Sequence, residues 1–567
     1  MLGREAITNP SERLRVLLVA LFSDQHPAIG ESHALSVLGG CVQAAAPPEG
    51  ITMRLLDLYA IDSDRHEAFV QAVLAFQPHV LGISCVYGSL PMLERVYPAI
   101  RAAWRNDASG LVVVGGAIAT YRPEFLWALD QDIVIVAGEG DDALPALIDA
   151  FRHGRPFNGI PNVLRFGDDV LPTRRLVDMA TAPLPDRSLA TQVARMGGQL
   201  FTETSRGCSW SVCTFCNRGL SDLGHARDWR RCSPERVAAD LLQLQQRGVT
   251  EVTFADEDFL GPDPTGVETW VMELATLVSQ LPQQGTYYVS AMVRSFWSTK
   301  WDAATHAACE RVWASLRLLG VSKVFLGLES GSPGQLRRFA KGITPSDAVI
   351  AITRARAWGL TVELGFIMFD PLSSLEEVRQ NCDFLLANNL QDMVSAIDNE
   401  LRVQVGSHYE RLLHMEENKR QVQLFNRPPD RATLVYESQY ADPNVAEVVR
   451  IVRDWRSEWS ELYYLAKALT RYGSMGAVGH ETSALRHLLA TMRRAVVIAI
   501  RDLTLELESY RSSAGTTARL KADMKKVATE ALSTAVRMQH RKLAADRAEL
   551  FAAAAARTLT WATAETV

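Results

Sequence analysis

The chain has 567 residues, of which 47% are hydrophobic and 22% are charged, a composition typical of a soluble globular protein with roughly three domains. Its 59 basic and 65 acidic residues give a net charge of -6, and they form no tract that favours nucleic-acid binding. No apolar run reaches the roughly 18 residues that cross a membrane, and the first residues lack the apolar core of a signal peptide, so we expect a cytoplasmic protein without nucleic-acid or membrane partners.

Short β-rich runs alternate with helix-like stretches, such as 65–76 and 92–104, in the first part of the chain. This alternation predicts a doubly wound open parallel sheet with helices on both faces. Ligands of such sheets bind at the carboxyl ends of the strands. The predicted strands are 16–21, 51–58, 80–84, 111–114 and 133–136.

The ends of three of these strands carry small residues. Glycine allows a large ligand to approach the backbone, but glycine after a strand is often only a turn, so these residues alone leave both interpretations open. They are Ser84 after the third strand, Gly115, Gly116 and Ala117 after the fourth, and Gly138, Glu139 and Gly140 after the fifth.

The runs 112–117 and 136–140, with Pro123 and Glu124 between them, resemble the cobalamin-binding domain found ahead of many radical SAM domains. The resemblance implies that residues 1–155 form a cobalamin-binding domain whose strand-end loops cradle the corrin and its nucleotide tail. Mutase-type domains ligate cobalt through Asp-x-His-x-x-Gly, whereas the run 24–30 has one residue too many. His26 is therefore interpreted as a loop histidine in preference to a cobalt ligand.

Residues 156–195, rich in Pro, Gly and Asp, predict an extended linker with room for one hairpin.

Three cysteines follow the linker in the pattern Cys-x4-Cys-x2-Cys: Cys208, Cys213 and Cys216. Thiolates at this spacing hold a soft metal centre, most often an iron–sulfur cluster. Because three ligands leave one iron of a four-iron cluster open, that iron is available for chemistry. The alternatives are a zinc site and unligated core cysteines. The other five cysteines are scattered, and we expect them to be small buried hydrophobic residues.

Residues 196–410 resemble the radical SAM superfamily, with a partial (β/α) barrel whose strand ends carry polar or glycine residues. The run 401–406 is predicted to be the last strand of this barrel. The resemblance implies that the open iron chelates the amino and carboxylate groups of S-adenosylmethionine, and that homolysis then gives a 5′-deoxyadenosyl radical. In this assignment Glu329 accepts from the amino group, Arg294 pairs with the carboxylate, Ser290 adds a hydrogen bond and Phe215 packs near the adenine or the cluster. A plain ion pair between Arg294 and Glu329 is the alternative.

Two features of this region depart from, or add to, the family pattern. The usual spacing is Cys-x3-Cys-x2-Cys, so the gap 209–212 holds one extra residue, which we expect to bulge outward. Asp256, Glu257 and Asp258 follow a predicted strand, where structural carboxylates and a substrate role are both open.

Residues 411–567 predict a helical domain with long amphipathic helices over 445–472, 481–511 and 516–556. The domain either closes the barrel and grips the substrate or forms a structural or dimerising bundle.

The combined resemblance implies a cobalamin-dependent radical SAM enzyme with a 4Fe-4S cluster, S-adenosylmethionine and cobalamin as cofactors and a reductase as electron donor. The leading expectation is a methyltransferase acting on an unactivated carbon of a natural-product or peptide substrate. The alternatives are rearrangement, cyclisation or oxidation without methyl transfer, a first domain that binds no cobalamin, and a cobalamin or iron–sulfur sensor without turnover.

Overall fold

A computed structural model of the protein describes residues 13–23, 28–45, 50–104, 110–168, 174–217, 229–262, 264–472, 479–540 and 545–564. His26 lies outside these ranges, so its interpretation as a loop residue stays a prediction.

The first domain is an open sheet with helices on both faces. Its strands are β1 (Leu14–Ala20), β2 (Ile51–Asp57), β3 (Val80–Ser84), β4 (Leu111–Gly115), β5 (Val134–Val136) and β6 (Val163–Leu164). Its helices are α1 (His33–Ala45), α2 (Arg65–Phe76), α3 (Leu90–Trp104), α4 (Ala117–Tyr121), α5 (Pro123–Trp127) and α6 (Ala143–Arg152). The strand order is β2-β1-β3-β4-β5-β6, and every pairing is parallel except that of β5 with β6.

Apolar side chains cover both faces of this sheet, as strands that are apolar throughout predict. Leu17 of β1 belongs to a buried cluster that includes Phe69 of α2, whereas its neighbour Leu18 belongs to a cluster that includes Leu147 of α6. The predicted doubly wound sheet is confirmed. The antiparallel edge strand β6 falls inside the segment predicted as a linker, so part of that segment completes the sheet.

The second domain contains a parallel sheet of five strands. The strands of the domain are β7 (Phe201–Thr202), β8 (Ser205–Arg206), β9 (Arg230–Arg231), β10 (Glu251–Phe254), β11 (Thr286–Met292), β12 (Val321–Glu329) and β13 (Thr361–Phe366). The helices are α7 (Ala190–Arg195), α8 (Pro234–Gln246), α9 (Pro264–Ser279), α10 (Val293–Phe296), α11 (Ala303–Leu319), α12 (Pro333–Arg338), α13 (Pro345–Ala357) and α14 (Leu375–Ala387). The order is β13-β12-β11-β10-β7, and β8 pairs separately with β9. Parallel pairing brings the carboxyl ends of the five strands to one edge.

The prediction of a barrel strand over 401–406 is wrong. Strand β14 (Val403–Gln404) instead pairs antiparallel with β15 (Val435–Tyr436) in a sheet of its own. Helix α15 (His408–Arg420) follows and runs across the predicted domain boundary at residue 410. Buried Tyr409 and Phe425 share an apolar cluster with the first domain, so this segment packs across domains.

Four helices form the end of the described chain: α16 (Pro443–Tyr472), α17 (Gly479–Glu508), α18 (Ala514–His540) and α19 (Ala545–Thr563). The predicted C-terminal helical domain is confirmed, but the helix predicted over 516–556 is two helices. Lys521 near the start of α18 donates to the Ala564 carbonyl beyond the end of α19 at 3.1 Å, so the two helices run antiparallel. Among the described helices, none is both long enough and apolar enough to span a membrane.

A buried arginine joins the domains. The Arg187 side chain is 0% exposed and binds both carboxylate oxygens of Asp240 in α8 at 2.7 and 2.6 Å. It also donates to Glu31, which precedes α1, at 2.8 Å. A buried charge of this kind is tolerated only when its partners are in place, so the pair of carboxylates fixes how the two domains pack.

Candidate active site

The loop that carries the three cysteines, residues 207–217 and here called the cysteine loop, begins where β8 ends. Of two buried carboxylates just beyond β10, Asp256 holds the residue that leads into this loop and Asp258 holds the loop itself. Asp256 accepts from the Thr204 N–H at 3.2 Å and from the Thr204 hydroxyl at 2.5 Å, and Asp258 accepts from the hydroxyls of Ser209 at 3.1 Å and Ser295 at 2.7 Å. Burial raises the pKa of both carboxyls to about 6 although these hydrogen bonds oppose it. Of the two interpretations, the geometry therefore favours structural carboxylates for Asp256 and Asp258.

Residues 338–342, between α12 and α13, support the other side of the cysteine loop. Thr214 donates from its hydroxyl to the Arg338 carbonyl at 2.9 Å and from its backbone N–H to the Phe339 carbonyl at 3.1 Å. The Trp210 indole N–H donates to the Ala340 carbonyl at 2.8 Å. Three successive carbonyls of one segment thus fix the loop on both sides of Cys213.

The longer first gap of the cysteine pattern is taken up by a turn. Ser211 adopts a left-handed backbone with φ of 47°, and its hydroxyl donates to the Cys208 carbonyl. A left-handed residue reverses the chain over a short distance, so this turn is where the structure accommodates the additional residue of the gap.

The three cysteines of the loop are half-buried and free of disulfides, whereas the other five cysteines are buried. Burial raises the pKa of the Cys213 thiol to about 11, although Lys341 opposes this. Within the described ranges, no group of three or more His, Cys, Asp or Glu side chains is arranged to hold a single metal ion. A thiolate donor set without histidine or carboxylate suits an iron–sulfur cluster, in which separate irons take separate cysteines.

Glu329 ends β12 in an uncommon backbone conformation. Its φ is 74°, and the pairing with β13 shifts register between Gly327 and Glu329. A Cβ at Gly327 would lie 2.9 Å from one Glu329 carboxylate oxygen, and a Cβ at Gly365 would lie 3.3 Å from the other, so both glycines make room for this side chain. Its carboxylate lies 3.5 Å from the Nζ of Lys341, which is buried.

Of the other predicted S-adenosylmethionine contacts, Phe215 is part of the cysteine loop and Arg294 touches it, and the roles of all three residues stay predictions. The Arg294 guanidinium stacks on the Trp210 ring, 3.5 Å from its centroid, and Ser290 is half-buried near the end of β11. Phe215 packs edge-on against Phe339 with ring centroids 5.2 Å apart. Among the described ion pairs, Glu329 is paired with Lys341, and the simple pair of Glu329 with Arg294 is not formed.

One cavity of about 800 Å³ connects the two domains. All seven strand-end residues predicted to bind cobalamin line it: Ser84, Gly115, Gly116, Ala117, Gly138, Glu139 and Gly140. Phe215, Cys216 and Asn217 of the cysteine loop line the same cavity. The structure therefore brings the predicted cobalamin residues and one edge of the predicted cluster site to a common space.

The floor of the cavity suits a large ligand that lies against the backbone. Gly116 and Gly138 have φ of 98° and 95°, which side chains rarely adopt. A Cβ at Gly116 would lie 2.6 Å from the Cys85 carbonyl oxygen. Bare backbone at the strand ends is what a corrin and its tail require, so the residues present fit cobalamin.

Charged side chains of both domains close one wall of the cavity. Glu139 accepts from Arg230 at 2.8 Å and from the Val177 N–H at 2.6 Å. Burial alone would raise the pKa of the Glu139 carboxyl, but Arg230 and Arg206 hold that pKa below its usual value. Arg206 binds both carboxylate oxygens of Asp141 at 2.9 Å. The Glu139 carboxylate is thus engaged between domains, and its predicted contact with cobalamin stays a prediction.

Sequence reasoning missed several polar residues of this site. Asn217 Oδ1 is buried without a hydrogen-bond partner, and both ring nitrogens of His33 lie 3.9 Å from carboxylates, beyond hydrogen-bond distance. Glu257, by contrast, was named from the sequence with a structural and a substrate role both open, and it accepts from the Gly207 N–H at 3.2 Å and lines the cavity. The position of Asn217 beside Cys216 was a usable signal, whereas nothing in the local sequence marks His33.

Two family models match the chain in the order that the fold suggests. The B12 binding domain model matches residues 30–148, and the radical SAM superfamily model matches residues 202–385. Each match covers most of the strands of one of the two sheets that border the cavity.

Three known proteins illustrate the similarity. The chain is 28% identical over 328 residues to 4'-phospho-dehydrooxetanocin synthase of Priestia megaterium, a match that covers 56% of this chain and 44% of that protein. It is 23% identical over 344 residues to hopanoid C-3 methylase of Methylococcus capsulatus, covering 59% of this chain and 61% of the methylase. The solved structure of the cobalamin-dependent S-adenosylmethionine radical enzyme OxsB with aqua-cobalamin shares the fold, with a TM-score of 0.81 at 20% identity over 97% of this chain and 84% of that one.

The matches confirm the predicted order of domains, the predicted fold and the predicted set of cofactors. The chain spans about half of the first curated relative's length, so activity and substrate are matters for proposal. The chain thus carries a B12 binding domain followed by a domain of the radical SAM superfamily, and the cofactors of this arrangement are cobalamin, S-adenosylmethionine and a [4Fe–4S] cluster.

Proposed function

We propose that the protein is a cobalamin-dependent radical SAM enzyme in which both cofactors act on one substrate. The observation that carries this proposal is the shared cavity, because the strand-end glycines of the first domain and the residues Phe215, Cys216 and Asn217 line it together. A sensor that only bound the two cofactors would have no need to direct both toward a single space.

The residues of the site have distinct proposed roles. When bound, the reduced cluster with S-adenosylmethionine supplies a carbon-centred radical, and cobalamin supplies a transferable methyl group. The cysteines hold the cluster, while Glu329 and Arg294 bind the amino and carboxylate groups of S-adenosylmethionine by charge-assisted hydrogen bonds. The apolar Phe215 and Phe339 keep water from this side of the site.

For the reaction we propose transfer of a methyl group to an unactivated carbon of a small-molecule or peptide substrate, with a reductase as electron donor. The similarity to hopanoid C-3 methylase supports methyl transfer. Asn217 carries a buried amide oxygen without a hydrogen-bond partner and lines the same cavity as both sets of cofactor residues, and a polar group of the substrate would satisfy it there.

A second candidate is a rearrangement, cyclisation or oxidation without methyl transfer. Two observations favour it: the relative with 28% identity is named as a synthase, and the fold of OxsB matches 97% of this chain, including the C-terminal helices. The two candidates need the same cofactors and differ in the fate of the methyl group.

The discriminating experiment supplies trideuteromethyl S-adenosylmethionine and a reductant to the reconstituted protein, together with small-molecule and peptide extracts of its native host. Methyl transfer predicts a labelled product together with S-adenosylhomocysteine and 5′-deoxyadenosine. Formation of 5′-deoxyadenosine with an unlabelled new product would establish the second candidate. Absence of any consumption of S-adenosylmethionine, in protein loaded with iron and cobalt, would contradict an enzymatic function.

A further inference from the structure

Lys341 occupies the centre of the segment that supports the cysteine loop. The carbonyls of the three preceding residues, 338–340, accept hydrogen bonds from Thr214 and Trp210 of that loop. The Lys341 N–H itself donates to the Leu336 carbonyl at 3.1 Å. The backbone around Lys341 is therefore fixed against the three cysteines.

The Lys341 side chain is buried and points at the cysteine site. The residue is 6% exposed. Its Nζ lies 3.5 Å from Glu329 Oε1 and 5.9 Å from the centroid of the Phe215 ring. Glu329 and the three cysteines are the groups whose charges act on it. Burying an ammonium is expensive unless anions surround it, so the site is built for negative charge close to this lysine.

The chain accepts an unusual conformation on both sides of Lys341. Ala340 has φ of 53° and Gly342 has φ of 66°, and a Cβ at Gly342 would lie 2.8 Å from the Trp210 ring. Non-glycine residues in this region cost energy and persist where the surroundings require them. Here the two left-handed residues direct the lysine inward while the carbonyl of Ala340 remains bound to Trp210.

We propose that Lys341 is a charge-compensating residue of the three-cysteine site, whose buried ammonium raises the reduction potential of the cluster held there. Thiolate ligation makes the site anionic, and reduction adds one more negative charge. A nearby positive charge in a poorly solvated position stabilises the reduced form more than the oxidised form. The inference rests on the proposed function only in taking an iron–sulfur cluster as the occupant of the site.

The test is a redox titration of the reconstituted full-length protein, without S-adenosylmethionine or substrate, followed by the electron paramagnetic resonance of the reduced cluster. We expect Lys341→Met and Lys341→Gln to shift the midpoint to a more negative potential, so that at the wild-type midpoint less than half of the cluster is reduced. Lys341→Arg should stay close to wild type. The matched control is Lys323→Met. Lys323 lies in β12 and, like Lys341, is paired with a glutamate, but its partner is Glu363.

Equal midpoints for wild type and Lys341→Met, at equal iron content, would overturn the proposal. If the neutral variants fail to retain iron while Lys341→Arg and Lys323→Met retain it, the requirement for positive charge is supported. If Lys341→Arg also loses the iron, the role is one of shape and the proposal is wrong. None of these measurements requires turnover. Their interpretation therefore stays valid even if neither methyl transfer nor any other product is found.

Discussion

At the scale of single residues, the three cysteines of the loop differ from the rest in exposure. Cys208, Cys213 and Cys216 are half-buried, whereas cysteines such as Cys309 are fully buried in apolar surroundings. A buried thiol behaves as a small hydrophobic residue, so only the first group is available to iron without disturbing the core.

Replacing Cys213 by alanine should therefore abolish cluster binding. Wild-type protein reconstituted without oxygen should hold about four irons per chain, and the variant should hold little or none and form no 5′-deoxyadenosine. Iron and sulfide analysis with the absorption spectrum is the measurement. Cys309→Ala is the control, with full iron content expected; equal iron in both variants would contradict the assignment of Cys213.

Asp256 should make stability depend on pH in a predictable direction. Burial raises its pKa from 3.8 to about 6, so the folded chain holds this proton more tightly than the unfolded chain. The resulting stabilisation is complete below pH 4 and is lost as the pH rises to 6, and one such group contributes up to about 3 kcal/mol.

The check is urea unfolding of cofactor-free wild type and Asp256→Asn at about pH 5 and about pH 7. Wild type should lose stability relative to the variant as the pH rises, because asparagine does not titrate. A constant difference between the two proteins across this range would show that Asp256 is ionised in the folded state throughout.

At the scale of elements, the end of β12 presents the carboxylate most suited to the amino group of S-adenosylmethionine. Glu329→Gln should weaken S-adenosylmethionine binding by roughly 10- to 100-fold, since a hydrogen bond to a charged group contributes about 1.5–3 kcal/mol. Calorimetric titration of the reconstituted protein measures this. Glu268→Gln, which removes a half-buried carboxylate paired with Arg311 on the outer helices, should bind as wild type does, and an unchanged affinity of Glu329→Gln would refute the role of Glu329.

The elements that local sequence predicted well are those whose pattern is complete in itself. Strands β1 and β3 are apolar except for Arg15 and Ser84 near their ends, and glycines mark the ends of β4 and β5. Both the sheet and its ligand edge therefore followed from short windows. Strand β14 was misplaced because its partner β15 lies beyond α15, and pairing over that distance leaves no local signal. Helices α18 and α19 were predicted as one helix because no glycine or proline lies in the sequence that separates them.

The residues of the candidate site likewise fall into those that local sequence predicts and those that depend on distant contacts. The cysteines and the strand-end residues were found because each belongs to a motif, whereas the fit of Lys341 between Glu329 and the cysteine loop depends on a segment far away in sequence. The roles of Asp256 and Asp258 could not be chosen from sequence, because a carboxylate at a strand end looks the same whether it binds substrate or holds a loop.

At the scale of the whole molecule, Arg187 connects the first domain to the second. Arg187→Met should lower the free energy of unfolding by roughly 3–5 kcal/mol, since it leaves the buried carboxylates of Asp240 and Glu31 without their cation. Thermal unfolding and limited proteolysis of the segment between the domains are the measurements. Arg450→Met, which breaks an exposed pair with Glu447, should change stability by less than about 1 kcal/mol, and equal effects of the two variants would contradict the role of Arg187.

The wall of the cavity also has a consequence for recombining family members. The family models suggest a natural junction between residues 148 and 202, yet Glu139 and Asp141 before it bind Arg230 and Arg206 after it. A chimaera that took its first domain from another protein of this kind would keep Arg206 and Arg230 but lose Glu139 and Asp141, the carboxylates that pair with them. An exchange of domains should therefore carry both partners of these interdomain ion pairs together. Otherwise the ion pairs must be redesigned along with the new domain.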